Sequence, residues 1–519
     1  MLKFIPAVML ISLLTITTAF CADIPGQISL TRDDAVLMAI RNNIDLRVEA
    51  LNTSIAELGL DRSRSIYDPQ LSASASYGDT SYPGETFGTT STVTSVDVSQ
   101  YLPTGGRVAV TAQTGYTSAD HPASGLAPRD WLSSVGISIS QSLLKNAGRE
   151  ITELNITLAD TNLKTSLERF RFYMTDKVFS VITSYNRLHV LRQTLKARED
   201  ALDSAQTLRD QLKRKAKPGK LQTMEIANAD YAISQRRKDL IDAGKNVRDQ
   251  EATLRYLLGI EDKLEIIPVD SPSREEPDES ETAALQMAIE NRPDLKQLRL
   301  QLESQLLQER VAKRQQLPDI SVTAGTGFSG YGPEFADSTS QIGNGKGGWW
   351  SAGLFLRVPL GNTAAKNDYR QSRIRTEQLQ QRIKSYEWQI RNSVEADMRS
   401  LISARLQMQS ADQSLLYAEQ RLAEYRKHSL DGGSSVQDLL NAENDLIAAR
   451  NSQLEAVNYF AYSVTLLWRN IGVLLDRQHV HINTSDPEQL TRRDAPLSAA
   501  SREAISAAAD ALAPPEAAT

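Results

Sequence analysis

The 519-residue chain offers few side chains that could do chemistry. His479 and His481 form a His-x-His pair. A metal site needs three or four ligands, and no further ligand stands near the pair. The two read as surface histidines, so neither a metal nor a cofactor is expected. Cys21 is the single cysteine, which leaves no intramolecular disulfide. It is either a lipid anchor at a new N-terminus or part of a cleavage site. A lipid-anchor motif favours Leu three positions earlier and a small residue directly before the Cys. Thr18 and the bulky Phe20 stand there instead. No clustered nucleophile and base appears, so the chain does not read as an enzyme. A net charge of −6 gives no basic surface for nucleic acid. What remains is a set of aromatic side chains. Trp131, Trp349 and Trp350 stand at the entrances of alternating segments, where membrane-interface aromatics would lie, whereas Trp388 and Trp468 read as helix packing.

The elements that position these residues begin with an export signal. Lys3 precedes an apolar-to-small stretch from Leu10 to Phe20, with Ala19 and Cys21 around a cleavage point. We read 1–22 as a signal peptide. No later stretch approaches the roughly 20 apolar residues of a spanning helix. Any membrane-spanning part of the exported chain must then be a β-barrel.

The chain repeats itself. The stretch from Ala35 to Leu46 resembles that from Ala284 to Leu295: Ala39 meets Ala288, Asn42 meets Asn291, and Asp45 meets Asp294. Pro69 meets Pro318 at the same offset of 249. Further on, Gly219 matches Gly432, Asn228-Ala229-Asp230 matches Asn441-Ala442-Glu443, and Gly259 matches Gly472, all at an offset of 213. The drop from 249 to 213 means that the first copy holds 36 more residues between these landmarks.

After each matched proline the sequence alternates with period two. Leu71, Ala73, Ala75 and Tyr77 interleave with serines and Gly78; Val135, Ile137 and Ile139 interleave with Ser134, Gly136 and Ser138. In the second copy, Ile320, Val322, Ala324 and Phe328 share one face, as do Ala352, Leu354, Leu356 and Val358, with Gly353 and Arg357 opposite. Segments of about ten residues suit tilted strands crossing a membrane. The extra residues of the first copy hold a further hairpin, Val96 to Tyr116, around Pro103-Thr104-Gly105-Gly106. Four strands and two strands are expected. Six are too few to close a channel-enclosing barrel, since membrane barrels start at about eight. Several chains must contribute to one barrel.

Between Ala147 and Arg214 there is no proline, and Leu188, Leu195 and Leu202 recur at heptad spacing. Lys217-Pro218-Gly219-Lys220 breaks this helix and a return helix runs to Gly259. The second copy repeats the plan: a proline-free run from Asn362 to His428, a turn at Asp431-Gly432-Gly433-Ser434-Ser435, and an apolar stripe back to Gly472.

In order, duplication and spacing these parts resemble the TolC-like outer-membrane efflux protein (outer membrane factor) family, over roughly Leu30 to Leu475. The landmarks are the duplicated Asn-x-x-Asp-Leu helix, the strand entry Leu317-Pro-Asp-Ile-Ser321, and the segment Gly432-Gly-Ser-Ser-Val-Gln-Asp-Leu-Leu-Asn-Ala442. The resemblance implies an α+β membrane protein. It would be a homotrimeric transmembrane β-barrel continued into a periplasmic α-helical barrel of long coiled coils. It would serve as a passive exit duct of a tripartite efflux pump or type I secretion system, exporting small molecules, metals or proteins. Its partners would be outer-membrane lipid, a periplasmic adaptor (membrane fusion) protein and an inner-membrane transporter of the RND or ABC type. Six strands per chain predict an 18-stranded barrel in place of the family's usual twelve, unless the extra hairpin folds outside the membrane. The family commonly places acidic side chains just after the turn, facing the periplasmic entrance. Asp438 matches one such position, Asn441 occupies a second without the charge, and Glu225 aligns with Asp438 in the first copy. Asp438 and Glu225 equally suit solvated first-turn acids favoured by a helix dipole. Lys217, Pro218, Gly219, Lys220, Gly432, Gly433 and Ser434 are the expected adaptor contacts, the first turn departing from the family's apolar tip by being basic. The expected units are a first repeat at 29–265 (strands about 70–144, hairpin about 147–259, tip 215–222), a linker at 266–281, and a second repeat at 282–476 (strands about 319–360, hairpin about 362–472, tip 429–436). A tail at 485–519, rich in Ala, Pro and charge, is expected to be disordered. The rival reading is a periplasmic coiled-coil scaffold or adaptor without a membrane barrel.

Overall fold

The computed structural model describes residues 27–81, 88–119, 129–215, 220–261, 263–430, 436–482 and 491–493. The signal peptide at 1–22, Cys21 and the turn residues Lys217, Pro218, Gly219, Gly432, Gly433 and Ser434 lie outside the described residues, as does most of the tail and the side chain of Lys220.

One plan of elements runs through the chain twice. The first pass is β1 (Gln27–Leu30), α1 (Arg32–Asn42), α2 (Ile44–Arg64), strands β2 (Gln70–Ser81), β3 (Gly88–Tyr101), β4 (Gly106–Ala119) and β5 (Arg129–Ser142), a turn of helix α3 (Arg149–Thr152), and the hairpin α4 (Leu154–Lys215) and α5 (Lys220–Leu258). The second is β6 (Glu265–Pro268), α6 (Glu281–Asn291), α7 (Pro293–Arg314), β7 (Asp319–Gly332), α8 (Phe335–Gly343), β8 (Gly348–Arg357), and the hairpin α9 (Thr363–Leu430) and α10 (Val436–Asn470). Short elements α11 (Leu474–Arg477), β9 (Val480–Ile482) and β10 (Thr491–Arg493) close the described chain.

Local chemistry starts the helices in both passes. Thr31 caps α1 by accepting from the Asp34 amide, Asn43 caps α2, and Ser280 caps α6 by accepting from the Ala283 amide. Pro293 opens α7, where its missing N–H costs nothing. The matched small and apolar residues are those the fold buries: Ala35 and Ala284, Ala39 and Ala288, Leu46 and Leu295, Leu254 and Leu467. They sit in two separate cores, one on α4 and one on α9, which meet at Trp468. Each return helix ends on a glycine of positive φ, Gly259 at 67° and Gly472 at 79°. A Cβ there would come within 2.6 Å of the Asn42 carbonyl oxygen in one copy and 3.0 Å of the Asn291 carbonyl carbon in the other. The same corner, a glycine under an asparagine, is thus made twice.

The aspartates of the duplicated Asn-x-x-Asp-Leu motif hold ion pairs beside this corner. Asp45 bonds Lys177 Nζ at 2.6 Å, and Asp294 takes Arg292 at 2.7 Å and Tyr386 Oη at 2.6 Å. Burial pushes the Asp294 carboxyl upward, but the bonds from Arg292 and Tyr386 outweigh it and hold the group below its ordinary value. A carboxylate lowered in the folded state stabilises above its unfolded pKa, and that contribution is lost as pH falls through the folded value. Asp294→Asn is therefore expected to lower the melting temperature at neutral pH. The gap from the parent should close as the pH falls below the ordinary aspartate range, and a constant gap across a pH series of melts would contradict this account.

All six long strands form one antiparallel sheet in the order β2-β3-β4-β5-β7-β8. The hairpin β3–β4 is therefore part of the sheet. Two expectations need correction. The linker does not begin at 266: Glu265–Pro268 pairs in parallel with β1, and Ile266 is fully buried, because its alternation drives one face into the first core. Within the tail, Thr491–Arg493 forms β10, which takes up the free edge of β9. The helix α8, between β7 and β8, was not anticipated.

Candidate functional site

The described surfaces that matter are the two faces of the sheet and the ends of the helical hairpins. Strand register assigns the faces. Leu71, Val96, Val110, Ile137, Ala324 and Leu354 share one face, and all but Ala324 are large apolar side chains exposed on the single chain. The opposite face is built of Ser72, Asp97, Thr111, Gly136, Gly327 and their neighbours, small and polar. An apolar face that among the described elements only α8 covers, at one end, backed by a hydrophilic one, is the pattern of a barrel wall between lipid and water.

Trp131 and Trp350 lie on the apolar face. Trp350 is 80% exposed. Trp131 packs at a 45° tilt on Tyr116 at 5.1 Å and meets Phe335 of α8 edge-on at 5.4 Å. The helix α8 is pinned there by Ser338, which is fully buried and 2.8 Å from Ser133 Oγ, and by Gln341, whose side chain bonds the Tyr331 backbone. Trp349 requires a correction: it does not face the apolar side. Adjacent strand residues point oppositely, so with Trp350 outward the Trp349 indole lies on the polar face. There it crosses Gly327 and Gly136, where a Cβ would stand 2.9 and 2.6 Å from its ring.

At the hairpin ends, Asp438 sits exposed in the first turn of α10, Asn441 accepts from Gln437 Nε2 at 3.2 Å, and Glu225 is half-buried on α5. The buried charges lie beyond them. Arg236 of α5 donates to the Ala201 carbonyl of α4 at 2.7 Å and, through both terminal nitrogens, to Glu443 Oε2 of α10 at 3.1 Å. Arg426 of α9 approaches the other carboxylate oxygen at 3.6 Å. Four helices from both hairpins thus converge on one carboxylate, with Arg236 and Glu443 both buried. Further along the seam Arg187 pairs with Glu455 at 2.5 Å and Arg469 with Asp176 at 2.7 Å, again joining α4 to α10. Sequence reasoning met Glu443 only as a repeat landmark and missed Arg236. Arg236 lies in the run Gln235-Arg-Arg-Lys238, in which no residue announces that it is buried.

No helix among the described residues is long and apolar enough to cross a membrane, and no group of three or more potential metal ligands occurs among them. The chain matches the model of the outer membrane efflux protein family over residues 108–260 and 284–467. It is 23% identical over 326 residues to outer membrane efflux protein BepC of Brucella suis biovar 1, covering 62% of this chain and 68% of that protein. Among solved structures it is similar to the CmeC outer membrane channel of Campylobacter jejuni (TM-score 0.61, 15% identity, 85% of this chain and 86% of that one). It is likewise similar to the open state of the MtrE outer membrane channel of Neisseria gonorrhoeae (TM-score 0.63, 15% identity, 85% and 89%). At these identities the structural likeness establishes the fold.

Proposed function

The chain belongs to the outer membrane efflux protein family, and from that premise we propose how it builds its conduit. The protein is an outer-membrane efflux channel subunit, with its helical part in the periplasm. Its family is one of transport channels, multimeric and working with an adaptor and an inner-membrane pump.

The proposal is that three copies close side by side into one barrel of 18 strands, continued into a barrel of the long hairpins, each chain being a tandem duplication of one unit. The supporting observation is that, among the described residues, the sheet ends on two edge strands and the helical layer on two helices with exposed apolar stripes. In the sheet, β2 and β8 are the edges. In the helical layer α2 packs on α4, α4 on α7 and α7 on α9. On α2, Ile44, Val48, Leu51, Ile55 and Leu58 form a stripe at helical spacing, each more than half exposed. On α9, Ile374, Trp388, Ile402 and Leu416 recur every fourteen residues, also exposed. The α9 flank of one copy would cover the α2 flank of the next, and β8 would pair with β2. This is a head-to-tail contact that closes into a ring. The strand pairing favours the wider barrel, because β3 and β4 stand in the middle of the sheet.

In the same reading the turns at Lys217–Lys220 and Gly432–Ser434 meet the adaptor, and Asp438, with Asn441 beside it, lines the entrance. Replacing Asp438 by Ala should weaken block of the channel by multivalent cations; unchanged block removes Asp438 from the conducting path. The ring is tested with one cysteine placed on β2 and one on β8 of the same chain. Oxidation should give covalent species of two and three chains and none larger. Monomer alone, or a ladder running past three, would overturn it. A protein recovered in the soluble periplasmic fraction would favour the scaffold reading.

A further inference from the structure

We infer that the polar face of the sheet carries a transit site for planar aromatic cations, built from the Trp349 indole and the Asp97 carboxylate. The inference rests on the channel reading, in which this face lines the lumen. Register places Trp349, Gly327, Gly136, Thr111, Asp97 and Ser72 side by side in one row across all six strands. The indole starts on β8 and lies over the glycines of β7 and β5, its ring atoms filling the space of two absent side chains. The benzo part of the indole is therefore held against the glycine floor. Trp349 still keeps 36% of its surface exposed, so part of the ring remains open to a solute. Thr326 fixes the backbone beneath by donating to the Trp349 carbonyl at 3.0 Å.

Asp97 stands two strands beyond Gly136. Strands lie about 4.8 Å apart, so its carboxylate is on the order of 10 Å from the ring's far edge. Thr111 donates to one of its oxygens. Arg107, the nearest cation on this face, donates to Ser99 at 2.7 Å rather than to Asp97. Farther along β8, Phe355 presents a second ring to the same side, with the Arg357 guanidinium 5.0 Å above it. An aromatic face and an anion about one fused-ring system apart, over a floor of glycine and threonine, select a flat solute with a positive charge at one end. Stacking and cation–π attraction hold the ring, and the carboxylate orients the charge. A wall of serine and glycine alone would supply neither.

Planar-bilayer recordings of the full-length protein test this, with 9-aminoacridine as the aromatic cation and tetraethylammonium as the non-aromatic one, each added on the barrel side. The parent channel should be interrupted by 9-aminoacridine and far less by tetraethylammonium. Trp349→Ala should weaken the aromatic block roughly tenfold and Asp97→Asn by a smaller factor. Trp349→Phe should retain most of it, and Trp350→Ala, on the opposite face, should leave it unchanged. Equal block of the parent and Trp349→Ala, or equal potency of the two cations, overturns the inference. So does a parent that conducts without being blocked. If Trp349→Ala does not assemble, the Phe and Asn variants decide the matter through the same comparison. A parent that forms no pore sinks the channel reading itself, which is a distinguishable result.

Discussion

Replacing Glu443 by alanine will loosen the join between the two hairpins and raise the resting conductance of the channel. The carboxylate receives both terminal nitrogens of Arg236 at 3.1 Å and lies near Arg426, so its removal leaves a buried guanidinium without its counter-charge. Breaking one partner of a buried pair costs about 3–5 kcal/mol, mostly as the penalty on the charge left behind. That is a large share of the stability of any single helical seam. The sign of the effect separates charge from packing. Arg236→Ala should be milder at the Glu443 side, since Arg426 still faces that carboxylate. The double replacement Arg236→Met with Glu443→Leu should restore much of the melting temperature, because two apolar groups of similar volume carry no desolvation cost. If Glu443→Ala melts with the parent and conducts like it, the node does not hold the hairpins together.

Excising residues 88–119 will narrow the outer-membrane part of the channel without destroying it. The cut removes β3 and β4 as a complete antiparallel pair, so β2 and β5 meet in the antiparallel sense that the sheet already uses. In a ring of three the wall loses six strands. Barrel diameter grows roughly linearly with strand number, so the shortened barrel should have about two-thirds of the parent's diameter. Exclusion of neutral polymers of graded size, added from the barrel side, measures this directly. An unchanged size limit would mean that the hairpin is no part of the wall. A variant unable to insert would show that β2 and β5 cannot replace one another as neighbours.

Much of this architecture is legible in the sequence because burial acts on both copies alike. Ala35, Ala39 and Leu46 face the same constraint as Ala284, Ala288 and Leu295, so the matched letters are the buried ones. Period-two alternation likewise reveals all six long strands, since each separates an apolar face from a polar one. The side of the sheet to which Trp349 points was legible too. Trp350 shares its parity with Ala352 and Leu354, and Trp349 shares its own with Gly353 and Arg357. Treating the two tryptophans as a pair overlooks that parity. Other features have no local signature. The parallel pairing of Gln27–Leu30 with Glu265–Pro268 joins residues more than two hundred apart. The meeting of Arg236 with Glu443 depends on how two hairpins register against each other, and each residue alone reads as an ordinary surface charge. The short helix at Phe335–Gly343 is held by Ser338 and Gln341, whose importance comes from what they touch across the sheet.

The open flanks of the single chain have a genetic consequence. In the proposed ring of three, each copy would offer one flank and accept one, so no copy could be repaired by its neighbours. A substitution that spoils only the α2 stripe, such as Leu51→Glu, still leaves an intact α9 flank able to capture a healthy copy. In that ring such a subunit would not merely fail; it would terminate the ring it enters. In a cell making parent and damaged chains in equal amounts, only about one closed set of three in eight would be free of a damaged copy. Loss of export should then be dominant, whereas a chain truncated before it can fold would be harmlessly recessive.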